Sequence, residues 1–246
     1  MPWERSNRVR KPNARIIELP PPFRLVALRE SGDAFAHACA RAAELGAGAL
    51  VLVGRFDFAE FAVVLQPEEP LASARRAFYA GMTALCDTLV ALAPPETPIV
   101  IEWPDAVHVN RRLVGGGRLG WPDHADERAA PDWLVFGAQI RVVPPASEKS
   151  GTRPLSTTLY EEGFGHAGPE RLAEGFARHL MVAFDRWQEG GFPPIAKEYL
   201  TKLRSEHGLR GEIDENGDLA IKSDGRVVER RELLPALQAP SWLERV

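Results

Sequence analysis

Apolar and polar positions fall in blocks along this chain, and the blocks carry both helix and strand periods. Residues 23–28 are apolar enough for a strand, entered past Pro20, Pro21 and Pro22, which fix φ and remove donors. Ala34–Leu45 is alanine-rich and predicts a helix, with Ser31 or Asp33 as its cap and Gly46 at its end. Residues 49–53 are a β-branched apolar run, the pattern of a buried strand, and 60–65 make the next strand, closed by Pro67. From 71 to 92 apolar residues recur at helical spacing (Ala74, Ala77, Phe78, Met82, Leu85, Leu89, Leu92) and predict one helix, stopped by Pro94 and Pro95.

Residues 99–103 read as a strand. Residues 107–109 begin a hairpin, Asn110 and Arg111 make its turn, and Leu113 begins the return arm. Residues 121–131 are loop, 133–143 contain a long strand, and 144–154 have loop composition. Residues 169–187 form an amphipathic helix with Leu172, Phe176, Leu180, Ala183, Phe184 and Trp187 on one face, ended by Gly190 and Gly191. A further helix covers 195–204. After Gly208 short strands alternate with Asn216-Gly217 and Asp224-Gly225, both hairpin-turn signals. The pattern divides the chain into an arm (1–22), a main α/β domain (23–206) and a small β appendage (207–246). The appendage is too short to bury much core alone, so it is expected to pack on the main domain.

Composition sets bounds on this picture. The chain has 246 residues, 45% hydrophobic and 26% charged, enough for one sizeable core. A net charge of -4 argues against broad nucleic-acid binding. No run of about 18 apolar residues predicts a membrane helix, and the arginine-rich start lacks the apolar stretch of a signal peptide, so a cytoplasmic protein is expected. Cys39 and Cys86 lie in apolar helical stretches and are expected as buried free thiols. The histidines are scattered, and no metal site is expected. Phosphate loops ending in Gly-Lys-Ser/Thr, Gly-X-Ser-X-Gly elbows and paired-histidine zinc motifs are all missing.

The segment 99–121 draws the attention that the missing motifs leave. Gly115, Gly116 and Gly117 stand together in a strand that they weaken, which marks either a tightly packed corner or the close approach of another backbone or a ligand. Trp103-Pro104-Asp105-Ala106, the hairpin and this glycine run resemble the Trp-Pro-Asn-Asp hairpin of biotin protein ligases. Three further pieces occur in that family's order. Glu30-Ser31-Gly32-Asp33 heads the first helix, Phe136-Gly137-Ala138-Gln139-Ile140-Arg141-Val142 is similar to the Gly-Ile-Gly-Ile-Asn-Val strand, and Thr157 to Gly163 is similar to the closing acidic segment. The resemblance spans about residues 23–203. It implies a central, mostly antiparallel mixed sheet flanked by helices, as in class II synthetases and biotin ligases.

It also implies chemistry: ATP activates the carboxylate of biotin or lipoate as an acyl-adenylate, and a lysine of a biotinyl or lipoyl carrier domain displaces AMP. On that resemblance the ligand-binding set is Ser31, Arg55, Trp103, Asp105, Gly115, Gly116, Gly117, Arg118, Gly137 and Gln139, with Arg112 as the catalytic candidate. The chain departs from the pattern in three places. Of the family's Gly-Arg-Gly-Arg-Arg-Gly loop only Gly54-Arg55 remains, the hairpin lysine falls on Arg112 or Leu113, and Ala106 replaces a carboxylate, leaving Asp105. Neither cysteine sits late in the chain, where the related octanoyl transferases place their nucleophile. Three readings follow: a ligase or acyltransferase of this class, a binding protein for an acyl or nucleotide ligand without catalysis, or a structural partner of a carrier domain that uses the β appendage.

Overall fold

The structure is a computed structural model and describes residues 17–30, 32–144, 155–204 and 210–245. Its apolar runs converge on one seven-stranded sheet. β1 (Arg24–Leu28) and β2 (Ala49–Val53) run parallel, because α1 (Ala34–Leu45) crosses over between them. β3 (Phe58–Leu65), β4 (Ile99–Glu102), β5 (Ala106–Val109), β6 (Arg112–Gly120) and β7 (Leu134–Arg141) complete it in the order β1-β2-β3-β7-β6-β5-β4, antiparallel at every later pair. The mixed, mostly antiparallel sheet implied by the resemblance is what forms.

The two faces of the sheet are covered unequally. Strand alternation sends Phe61, Val63, Phe136 and Ile140 into a large core. That core is completed by α2 (Leu71–Ala74), α3 (Ala77–Leu92), α4 (Pro169–Gly190) and α5 (Phe192–Lys202). Helix α3 is buried nearly all round, held between the sheet and α4, which is why its apolar residues fill more than one stripe. Ala62, Val64 and Val135 point to the opposite face, where α1 covers the sheet with Ala34, Ala38 and Ala42.

The single helix expected over 71–92 is interrupted at Arg75 and Arg76, where i→i−3 hydrogen bonds tighten the chain. Both guanidiniums leave the helix for outside partners: Arg75 meets Glu127 and lies over Trp121, and Arg76 meets Glu69 and lies over Phe192. At the β5–β6 turn Asn110 and Arg111 take φ of 49° and 69°, the left-handed pair that a two-residue hairpin requires.

A second sheet holds β8 (Arg210–Ile213), β9 (Leu219–Ser223) and β10 (Arg226–Arg231), antiparallel in the order β10-β9-β8. α6 (Leu233–Gln238) and a 3-10 turn, Leu243–Arg245, follow; neither is anticipated by the sequence pattern. Leu233 and Leu237 enter the large core, and Tyr79 donates its hydroxyl to the Gly217 carbonyl at 2.5 Å. Among the described residues no helix is long and apolar enough to cross a membrane. Cys86 is buried and Cys39 half-buried, both free, and burial pushes each thiol up to about 12.

Candidate functional site

The strand register builds the site on the α1 face. Glu60 on β3 pairs with Gln139 on β7, Gln139 with Gly116 on β6, and Gly116 with Ala106 on β5. Paired residues share a face, so these four form one row across the sheet. One register step away, Arg118 pairs with Gly137 on the same face. Within the row, the Gln139 carboxamide is half-buried and has no hydrogen-bond partner among the described residues.

Charges cluster at the start of α1. Asp33 caps the helix, accepting from the Ala36 N–H at 2.9 Å, and receives Arg118 Nη2 at 2.6 Å. Burial works to raise the Asp33 carboxyl, but Arg118 and the helix N–H groups outweigh it and hold it below its ordinary value. Arg118 also lies 4.2 Å from the centre of the Phe35 ring. Glu60 is buried; it accepts the Ala34 N–H at 3.0 Å and lies 3.5 Å from Arg55. Burial, reinforced by Asp33, raises its carboxyl. Arg55 is held by Asp57 through two bonds of 2.7 Å and lies over Phe58. This cluster sets two guanidiniums (Arg55, Arg118) against three carboxyls (Asp33, Asp57, Glu60).

Every glycine of the run is approached closely. A Cβ on Gly117 would meet Met82 and Phe136 from the α3 side, and one on Gly115 would meet the Gln139 carbonyl oxygen at 1.9 Å. A Cβ on Gly116 would meet the Asp105 carbonyl oxygen at 2.2 Å and the Trp242 indole at 2.4 Å. On the α1 face, then, the group that approaches is the chain's own Trp242. Its Nε1 donates to the Gly117 carbonyl at 3.1 Å, and it forms a small separate apolar cluster with Ala106 and Leu113. The neighbouring Ser241 donates its N–H and its hydroxyl to the two Asp105 oxygens at 2.9 and 2.6 Å. Asp105 is buried, and burial raises its carboxyl despite these donors.

Other predicted site residues lie apart from this row. Arg112 pairs with Val109, whose side chain belongs to the α3-side core, and its guanidinium reaches Glu162 at 2.6 Å. It stands six residues from Arg118 along β6, about 20 Å. Trp103 packs against the α3-side core and donates to Tyr79 at 3.3 Å. Gly137 lies under Phe35. Ser31 lies outside the described residues. Glu60, Phe35, Ser241 and Trp242 escape the sequence reading. Glu60 had a signal, as the lone acid inside an apolar strand; Trp242 had only its bulk.

Residues 19–201 match the profile of the Biotin/lipoate A/B protein ligase family. The chain belongs to this family. Among its relatives is a biotin–[acetyl-CoA-carboxylase] ligase of Paracoccus denitrificans, 28% identical over 196 residues, 72% of this chain and 77% of that protein. A biotin protein ligase-like protein of unknown function from Silicibacter sp. TM1040 superposes with a TM-score of 0.74 at 30% identity, covering 90% of this chain and 99% of that one. The apo biotin protein ligase of Aquifex aeolicus gives a TM-score of 0.65 at 16% identity, covering 85% and 95%, a likeness of fold alone.

The turn contains only Asn110 and Arg111, so Leu113 is the residue that faces the α1 side and Arg112 the residue that turns away. Leu113 is buried and Arg112 is paired with Glu162.

Proposed function

We propose that this family member binds biotin or a related acyl compound on the α1 face without activating it with ATP. The observation that carries the reading is the row Glu60–Gln139–Gly116, whose central carboxamide is unpartnered. The amide is free to pair, and a ligand offering one donor and one acceptor would satisfy both of its ends. Arg118, fixed by Asp33 and Phe35, supplies a cation one register step away for a carboxylate or carbonyl of that ligand.

The residues fit ATP poorly. A triphosphate needs several converging cations, and this cluster offers two: Arg55, held by Asp57 and Glu60, and Arg118, which the acyl ligand itself would use. Leu113 adds none.

Titration calorimetry with biotin, lipoate and biotinyl-5′-AMP tests the reading. Biotin or lipoate is expected to bind, and Gln139→Leu to weaken binding about tenfold, the effect of one lost buried hydrogen bond. AMP release or transfer of biotin to a carrier-domain lysine by the purified protein would overturn it. The 28% identity to the Paracoccus denitrificans ligase favours that second reading, in which the chain biotinylates a carrier domain, and the same assay decides.

A further inference from the structure

The group that lies on the glycine row is part of this chain, and its attachment is local. Ser241 and Trp242 touch the sheet through three hydrogen bonds: two to the Asp105 carboxylate and one to the Gly117 carbonyl. The indole packs on Ala106 and Leu113 in a cluster separate from both main cores. Lifting it therefore uncovers one satellite of apolar surface and leaves the α3-side and α1-side cores closed. The preceding helix α6 is anchored independently, with Leu233 and Leu237 in the large core and the Leu233 N–H on Asp218.

The indole also resembles a ligand in its chemistry. It is a flat bicycle with one N–H aimed at a backbone carbonyl, lying against a residue that has no side chain. Its Ser241 neighbour presents two more donors to a buried carboxylate. Once vacated, the same surface offers a glycine floor, the Gly117 carbonyl, both Asp105 oxygens and, in the same row, the Gln139 amide. Such a set suits a flat or bicyclic molecule with two or three N–H donors and one carbonyl acceptor, such as a cyclic urea.

We infer that Ser241 and Trp242 form an intramolecular plug that occupies the ligand's place on the Gly116 row and leaves when a bicyclic N–H donor ligand binds. The inference rests on the binding reading above and adds its regulation. A closed site lowers apparent affinity by the fraction of molecules that are open, so weakening the plug raises affinity.

The test uses the full chain, Ser241→Ala and Trp242→Ala, with biotin as the probe in calorimetry and the Trp242 indole N–H followed by NMR. The plug predicts that Ser241→Ala binds biotin about tenfold more tightly than the wild type. It also predicts that Trp242→Ala binds more tightly still, and that biotin shifts the wild-type indole N–H toward its solvent-exposed position. Ser241→Ala removes one hydroxyl, so it decides the matter even where Trp242→Ala fails to fold. Equal biotin affinity in all folded forms with an unmoved indole N–H overturns the plug and leaves the binding reading standing. If no folded form binds biotin or biotinyl-5′-AMP, the binding reading falls and the plug falls with it.

Discussion

Gly116 concentrates the physical tension of the site in one position. A methyl group there would press on the Asp105 carbonyl oxygen and on the Trp242 ring, and neither is the far end of a flexible chain. Gly116→Ala is expected to lower stability by about 1–3 kcal/mol, as overpacking does. Gly165→Ala, with nothing within 4 Å of the new methyl, serves as the control expected to be neutral in thermal unfolding. Glu60 makes a second residue-scale case, through pH. Burial raises its carboxyl in the folded state, so the fold binds the proton more tightly than the unfolded chain does. The stability it contributes is complete below the ordinary value of 4.5 and declines as pH rises through the folded value. Glu60→Gln keeps an acceptor for the Ala34 N–H and carries no charge. Chemical denaturation at pH 4 and pH 8 is therefore expected to show the variant gaining on the wild type at the higher pH; a gap that is constant or shrinks contradicts this.

Elements were legible wherever one local signal dominated. α1 has an acid cap, an alanine-rich body and a terminal glycine, and its predicted bounds are those observed. The long β7 and α4 follow from apolar periodicity alone. The break between α2 and α3 was hidden, because the apolar period runs straight through it and the cause is two arginines drawn to Glu127 and Glu69 from outside the helix. The glycine run leaves a packed corner and a close approach equally open in the sequence; the structure packs all three glycines against neighbours, and no local pattern says that one of them comes from residue 242, some 125 residues away. The β5–β6 turn retains a local conflict that the fold overrides: Arg111 holds a left-handed φ of 69°, where a side chain is disfavoured. Arg111→Gly creates the Asn-Gly pair that such turns prefer. It is expected to raise stability by up to about 1 kcal/mol, seen as a higher midpoint in denaturant at an unchanged slope.

At the scale of the whole molecule, the small sheet with α6 and the turn that follows them engage opposite sides of the large sheet. The β8–β9 turn docks on the α3 side, where Tyr79 donates to Gly217 and the turn lies against Leu233 and Arg76; Trp242 sits on the α1 side. Three short strands are marginal alone, so the order of β9 depends on that first contact. Leu219 and Leu233, both fully packed, belong to the same joint. Tyr79 is buried, and removing its hydroxyl strands the Gly217 carbonyl and leaves Trp103 Nε1 without its acceptor. Tyr79→Phe is thus expected to cost about 1–3 kcal/mol of docking free energy. Hydrogen exchange should locate that loss: the amides of 217–223 exchange faster while those of β3 and β7, inside the large core, keep their protection. Trp242→Ala should do the opposite, since its cluster is separate from the joint, and leave 217–223 protected. Faster exchange across 217–223 in both variants would mean that the two contacts form one cooperative unit, and that Trp242 cannot leave its glycine without loosening the small sheet as well.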